Sequence, residues 1–416
     1  MRRSPLNIRS AALALLWPCL LVAQADPALS HARKLLKSTI LIDGHNDLPW
    51  MIRDDPKAPR DVEAYDLRRK TSGETDLARL KQGLLGAQFW SIYVPGEIKE
   101  GFAKIQLEQF DIARRMIAKY PEAMELAMSA ADIRRIRAKG KVASLLGMEG
   151  GHVLENSLGA LRAYYDLGAR YMTLTHNVTL DWVDAALDKP RHGGLTTFGR
   201  EVVREMNRLG MLVDVSHVSP DVMRDVLDTS EAPVIFSHSS ARALVDHPRN
   251  VPDGILKRMA ANGGVVMVTF IPPFVNRASK DWEDGLAKLA KGLSHDDAAY
   301  KKLEVEYIQA HGPSPKAFLK DVADHIDHVA KVAGHDQVGI ASDFWGGTTP
   351  VGLEDVSKYP DLFAELIRRG WSDQDLRKLA GENLLRAFAK AEAVAKRLQK
   401  QRQPSTATIE GLDRKK

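Results

Sequence analysis

Residues 211–238 read MLVDVSHVSPDVMRDVLDTSEAPVIFSH. Two apolar runs, Met211–Ser216 and Pro233–Ser237, are bounded by turn residues and flank the amphipathic segment Pro220–Asp228. That order is one strand–helix–strand unit of a parallel sheet. Each run ends on a histidine, His217 and His238. The unit recurs in both directions. Thr39–Asp43, Gln88–Val94, Val142–Met148 and Arg170–Thr175 precede it, and Gly264–Phe270 and Gln337–Ser342 follow. Leu158–Leu167, Phe198–Leu209 and Phe318–Ala333 are further amphipathic segments between runs. Eight runs favour a closed α/β barrel of the (β/α)8 TIM type over an open doubly wound sheet. No dinucleotide-type glycine fingerprint or phosphate loop follows any run, which also counts against the open sheet.

In such barrels the chemistry sits at the C-terminal ends of the strands. The first run leads into Asp43-Gly44-His45-Asn46-Asp47, the third into Glu149 and the fourth into His176-Asn177. The fifth, sixth and eighth end at His217, His238 and Asp343. Six of eight runs thus bring a histidine or an acid to one rim, which points to a metal site. His45 and Asp47 are two apart, so in an extended backbone they point the same way and can chelate one ion. His217 and His238 come from neighbouring strands and can hold a second, with Glu149 placed to bridge. Imidazole and carboxylate suit Zn2+ at roughly 2.0–2.2 Å. Two such ions about 3.5–4 Å apart share a hydroxide that is nucleophilic near neutral pH.

The other histidines read as structural. His31, His152, His192, His247, His295, His311 and His335 are single loop residues expected to be held by hydrogen bonds. His325 and His328 share one face of an amphipathic helix, and Asp214 reads as a buried, hydrogen-bonded acid inside a strand. There is no G-x-S-x-G elbow and no H-E-x-x-H helix, so metal-assisted hydrolysis is the best-supported chemistry.

Composition fits this picture. The chain has 416 residues, 44% hydrophobic and 27% charged, with a single cysteine, Cys19. That is a globular composition, and no disulfide framework is available to it. Arg2, Arg3 and Arg9, the apolar stretch Ala11–Val22 and Ala23-Gln24-Ala25 read as a signal peptide over residues 1–25. Trp17 and Pro18 fit poorly before a lipidated Cys19. Cleavage removes three arginines and the cysteine, so much of the formal +5 charge leaves with the leader and no longer suggests nucleic acid. Export to the periplasm or beyond is expected. The mature chain reads as one barrel over 26–403, with a charged, irregular excursion at 276–315 that suits a lid. Ser372 begins a helix running to about Gln403, and 404–416 is a polar, basic tail expected to fray. No transmembrane segment and no lipid-linked C-terminal anchor are expected, and a homodimer stays open.

Several long motifs resemble the membrane dipeptidase (renal dipeptidase) family. They are Ile42-Asp43-Gly44-His45-Asn46-Asp47-Leu48-Pro49-Trp50, Gly147-Met148-Glu149-Gly150-Gly151-His152, Leu174-Thr175-His176-Asn177 and Val234-Ile235-Phe236-Ser237-His238-Ser239-Ser240. Arg249-Asn250-Val251-Pro252-Asp253 and Gly352-Leu353-Glu354-Asp355-Val356 join them. The likeness spans about residues 38–392. It implies a zinc-dependent, amidohydrolase-like barrel that cleaves dipeptides, with two ions on His45, Asp47, Glu149, His217 and His238. It further implies that His176 contacts the scissile carbonyl and that Arg249 pairs with the substrate carboxylate. Asp343 would orient the hydroxide and pass its proton to the leaving amine. Tolerance of a D-residue at the second position and hydrolysis of some β-lactams are implied too. The chain departs from the family's Asp-Phe-Asp-Gly in reading Asp343-Phe344-Trp345-Gly346, and Ile271 stands where an aromatic is common. Substrate choice is therefore open. The same barrel acting on an N-acyl amino acid or a lactone is the alternative, and a non-catalytic solute-binding protein is disfavoured by the complete ligand set.

Overall fold

The computed structural model describes residues 26–98, 100–291, 293 and 298–413. The signal-peptide reading of 1–25, and His295, lie outside them. Nine strands follow in order: β1 (Leu41–Asn46), β2 (Leu85–Tyr93), β3 (Met124–Leu126), β4 (Val142–Glu149) and β5 (Ala169–Thr173). Then come β6 (Leu212–Asp214), β7 (Ile235–Phe236), β8 (Val265–Thr269) and β9 (Val338–Ala341). Every pairing is parallel. Eight strands close a ring, because β2 pairs with both β1 and β4, and β9 with both β8 and β1. The expected runs are these eight, shifted by a few residues. The ninth, β3, is a three-residue strand beside the start of β4, with Met124 opposite Val142. It is too short to give a period in sequence.

The strands are apolar on both faces because helices cover the outside and side chains fill the inside. Phe89, Leu145, Tyr171, Leu212, Ile235, Val265 and Met267 pack in one buried cluster with Leu384, Phe388 and Leu398 of the helix Asn383–Gln401. That helix therefore closes the barrel at the end opposite the strand C-termini. The expected helix from Ser372 is interrupted. Ser372 caps Asp373–Arg377, a π-helical turn spans Lys378–Glu382, and the long helix follows. The turn presses Gly381 against the Ile40 carbonyl, where a Cβ would come within 2.4 Å.

Two expectations need correction. The excursion is not irregular but a helical hairpin, Arg277–Leu289 and Ala298–His311. Its own small core holds Leu286, Ala290 and Tyr300, with Trp282 edge-on to Tyr307 at 5.1 Å. Trp282, Leu286 and Ala290 keep a four-residue spacing that surrounding charge hides. The tail does not fray over its described part. Ile409 is buried in a short helix, Ile409–Leu412, and Arg402 pairs with Glu201. The Asp413 carboxylate accepts from the Phe198 amide (3.1 Å) and the Thr196 hydroxyl (2.6 Å) at the start of the helix Thr197–Leu209. A carboxylate at a helix N-terminus is favourable, and it holds a polar tail in place. Among the described residues no helix is long and apolar enough to cross a membrane.

Candidate functional site

Two buried acids set the rim. On β1, Asp43 accepts from the amides of His45 (3.1 Å) and Ser342 (2.9 Å) and from the Ser342 and Tyr359 hydroxyls. On β6, Asp214 accepts from the amides of Ser216 (3.1 Å) and Ser237 (2.8 Å) and from the Thr173 and Ser237 hydroxyls. Each acid fixes the backbone just before a histidine. Asp214 is thus the structural acid its sequence position suggested.

His45, in β1, meets Glu149 at the end of β4, with Nε2 3.3 Å from Oε2. The other oxygen, Oε1, lies 3.0 Å from His217 Nε2 and 3.4 Å from His238 Nε2. One carboxylate thus faces histidines on both sides. Asp47 Oδ2 is 3.4 Å and Asp343 Oδ1 4.0 Å from His45 Nε2. Asp47 gets there by a different route from the extended backbone expected of it. It lies just past the strand, at φ −91° and ψ 19°, where the helix Leu48–Arg53 begins. His217 and Asp343 adopt left-handed backbone, with φ of 66° and 57°. Non-glycine residues hold such angles at a cost of order 1–3 kcal/mol, and they cluster where function fixes the geometry.

The far nitrogen of each imidazole is occupied. His45 Nδ1 lies 2.8 Å from the Tyr171 hydroxyl, and His217 Nδ1 lies 3.2 Å from Asn177 Oδ1. His238 Nδ1 lies 2.8 Å from Ser237 Oγ, whose proton goes to Asp214. These partners place a proton on Nδ1 and turn the Nε2 lone pair toward Glu149, the form a metal requires. Among the described residues His45 Nε2 and Asp47 Oδ1 are buried without a hydrogen-bond partner. Burial, followed by the charge of Arg249, holds His217 well below the usual histidine range, and burial followed by His45 does the same for His238. His45 differs: against the effect of burial, Tyr171, Glu149 and Asp47 hold it well above the usual histidine range. The donor atoms fall into three overlapping groups that could each hold a metal ion, His45–Glu149–His238, Glu149–His176–His217 and His45–Asp47–Asp343, and these include all five expected ligands.

Around them lies a cavity of about 470 Å³. His176, on the loop after β5, lies tilted against His217 at 4.4 Å between ring centroids and edge-to-face with Tyr93 at 4.8 Å. Burial, then Arg249, keeps it well below its ordinary pKa. Burial raises the Asp343 carboxyl, with Asp47 and Glu149 adding to the rise, and Thr269 donates to it at 3.3 Å. Arg249 is 4% exposed, lies 5.2 Å over the Phe274 ring, and among the described residues pairs with no carboxylate. Burial lowers its pKa to about 10, so it stays cationic.

Several lining residues carried no functional expectation: Trp50, Tyr93, His247, Phe274 and Glu283. His247, read as a loop residue, accepts from the Arg249 amide at 3.1 Å and stacks on Phe274 at 4.3 Å. Tyr93 closes β2, a strand-end position that could have marked it. Among the remaining histidines, His325 accepts from the Ala241 amide at 3.0 Å, and His328 pairs with Asp253 at 2.8 Å. Both are structural, as expected.

Residues 29–402 match the family model described as membrane dipeptidase, peptidase family M19. A probable dipeptidase of Pseudomonas aeruginosa, PvdM, is 30% identical, with a TM-score of 0.77 over 89% of this chain and all of that one. A metallopeptidase of Rhodobacter sphaeroides, liganded with a phosphinate mimic of the dipeptide L-Ala-D-Ala, is 25% identical. Its TM-score is 0.70, over 85% of this chain and 99% of its own. An amidohydrolase of Pseudomonas aeruginosa, also 25% identical, aligns at 0.66 over 86% and 98%. The match takes in the whole barrel and every residue of the rim cluster, so the chain belongs to the membrane dipeptidase family and is a hydrolase of its metallo-dipeptidase type.

Proposed function

We propose that the cavity hydrolyses the peptide bond of dipeptides with two zinc ions, one held by His45 and Asp47, the other by His217 and His238, and both by Glu149. One observation carries this reading: Glu149 turns Oε2 to His45 and Oε1 to His217 and His238, while each Nδ1 is tied elsewhere. The donor set of nitrogen and carboxylate oxygen, without thiolate, suits Zn2+. When bound, the ions supply water acidified toward neutral pH and positive charge that polarises a carbonyl.

The chain's own groups do the rest. Arg249, buried and without a counter-ion among the described residues, takes the substrate carboxylate with its forked donors. His176, neutral beside the cluster, donates to the oxygen that gains charge as the carbonyl is attacked. Asp343, with its raised pKa, accepts the proton of the attacking water and returns it to the leaving amine. A carboxylate anchor fixed close to the cluster limits substrate length to two residues. The L-Ala-D-Ala mimic on the Rhodobacter sphaeroides relative supports tolerance of a D-residue at the second position. Some β-lactams, which present an amide and a nearby carboxylate, fit the same anchors. With residues 1–25 as a leader, the enzyme works in the periplasm or outside the cell.

A dipeptide panel with L- and D-second residues, run with tripeptides and with and without chelator, tests this. Dipeptides should be cleaved, tripeptides spared, and activity lost to chelator and restored by Zn2+. Full turnover by metal-free protein, or cleavage of N-acyl amino acids in place of dipeptides, would overturn it.

A further inference from the structure

Among the described residues the cavity carries one charge that the proposed reaction leaves unused. Glu283 lines it from the helix Arg277–Leu289 and reaches solvent, while the protein packed around it, with Asp284, raises its carboxyl above the usual range. Its nearest cation on that helix, Lys280, pairs with Asp284 instead. Among the described residues no lysine, arginine or histidine lies within ion-pair distance of Glu283. The other charges of the cavity belong to the rim cluster or to Arg249. Much of the remaining wall is aromatic: Trp50, Tyr93, Phe274 and Trp345. Trp50 and Tyr93 meet edge to face at 4.9 Å, which holds both rings in place. Ring faces attract cations, and they pack well against the long apolar stem that carries an ammonium or guanidinium.

We propose that Glu283 is a specificity-determining residue that selects dipeptides bearing a basic, lysine-like or arginine-like side chain. The proposal rests on the dipeptidase reading above. The head group meets Glu283 while its stem runs along the aromatic wall. Glu283 stands on the hairpin that interrupts the strand–helix repeat, so this selectivity resides in an insertion and leaves the rim chemistry untouched.

The test compares matched dipeptides, Ala-Lys with Ala-norleucine and Lys-Ala with norleucine-Ala, in the zinc-loaded enzyme and its Glu283→Gln and Glu283→Lys variants. The wild type should prefer the basic member of at least one pair in kcat/KM by about two- to fivefold, as expected of a partly screened ion pair. Glu283→Gln should bring that ratio close to one, and Glu283→Lys should turn it below one. Calorimetric titration of the same peptides into metal-free protein gives a second readout, without turnover. An unchanged basic-to-neutral ratio in Glu283→Gln, by both readouts, overturns the Glu283 assignment and leaves the dipeptidase reading intact. If no dipeptide is cleaved, yet metal-free wild type binds the basic peptide more tightly than Glu283→Gln does, the dipeptidase reading falls and the Glu283 subsite stands.

Discussion

The Tyr171 hydroxyl lies 2.8 Å from Nδ1 of His45 and 3.4 Å from the Gly44 carbonyl, to which it donates. The hydroxyl therefore accepts the Nδ1 proton and leaves Nε2 free for the cluster. Removing such an outer partner commonly costs about 10–100-fold in metal affinity. Tyr171→Phe keeps the ring that fills the barrel, so the fold should survive. Competition with a chromophoric chelator should find zinc held at least tenfold more weakly. A change under twofold would show that packing alone orients His45.

Asp214 ties β6 to β7 through hydrogen bonds to the Ser216 and Ser237 amides and the Thr173 and Ser237 hydroxyls. Asp214→Asn puts an amide donor where a second acceptor is needed. Hydrogen bonds to a charged group contribute about 1.5–3 kcal/mol each, so a loss of roughly that size is expected in urea unfolding. Zinc binding should weaken too, because Ser237 loses the acceptor that orients it toward His238.

Arg249→Lys keeps the charge and loses the planar fork. It should raise KM for dipeptides at least tenfold, about 1.4 kcal/mol, with zinc content unchanged. Arg249→Ala should be worse. Wild-type KM in Arg249→Lys would place the substrate carboxylate elsewhere.

His325 is 1% exposed, and burial lowers its pKa to about 4. The unfolded chain protonates this histidine near pH 6.5, so it binds protons before the folded chain does. The stability it contributes is complete above pH 6.5 and drains away as the pH falls toward 4, at up to about 1.4 kcal/mol per pH unit. His325→Asn retains an acceptor for the Ala241 amide. In chemical denaturation of metal-free protein, its stability should fall less steeply over that window than the wild type's. Parallel profiles would refute the assignment.

Asp413 caps the helix Thr197–Leu209 from the far end of the chain. Asp413→Ala should lower stability by about 1 kcal/mol, the usual cost of a lost cap. Differential scanning calorimetry would register it as a lower midpoint with activity retained at room temperature.

The barrel was readable because its strands are continuous apolar runs, and the rim because those runs end on histidines and acids. Met124–Leu126 was not readable, since three residues set no period. In the hairpin, charge outweighs the spacing of Trp282, Leu286 and Ala290. The tail carries no apolar pattern, and a single acid reaching Thr196 and Phe198 leaves no local trace. His247 and Glu283 join the cavity through tertiary folding alone: one supports the backbone of Arg249, and the other arrives on the helical hairpin. Asp47 lies beside His45 for a reason other than the one the spacing suggests, because a helix start, and not strand alternation, turns it there.

The bond between Asp43 and the Ser342 amide joins residues 299 positions apart and seals the first strand to the last. His45 and Asp47 stand on one side of that seam and Asp343 on the other. Half of the rim therefore has no fixed geometry until almost the entire polypeptide has emerged and the ring has shut. Contacts of such long sequence separation form late and slowly. A nascent chain offers a metal ion only scattered ligands, so ring closure comes first, metal acquisition second and activity last.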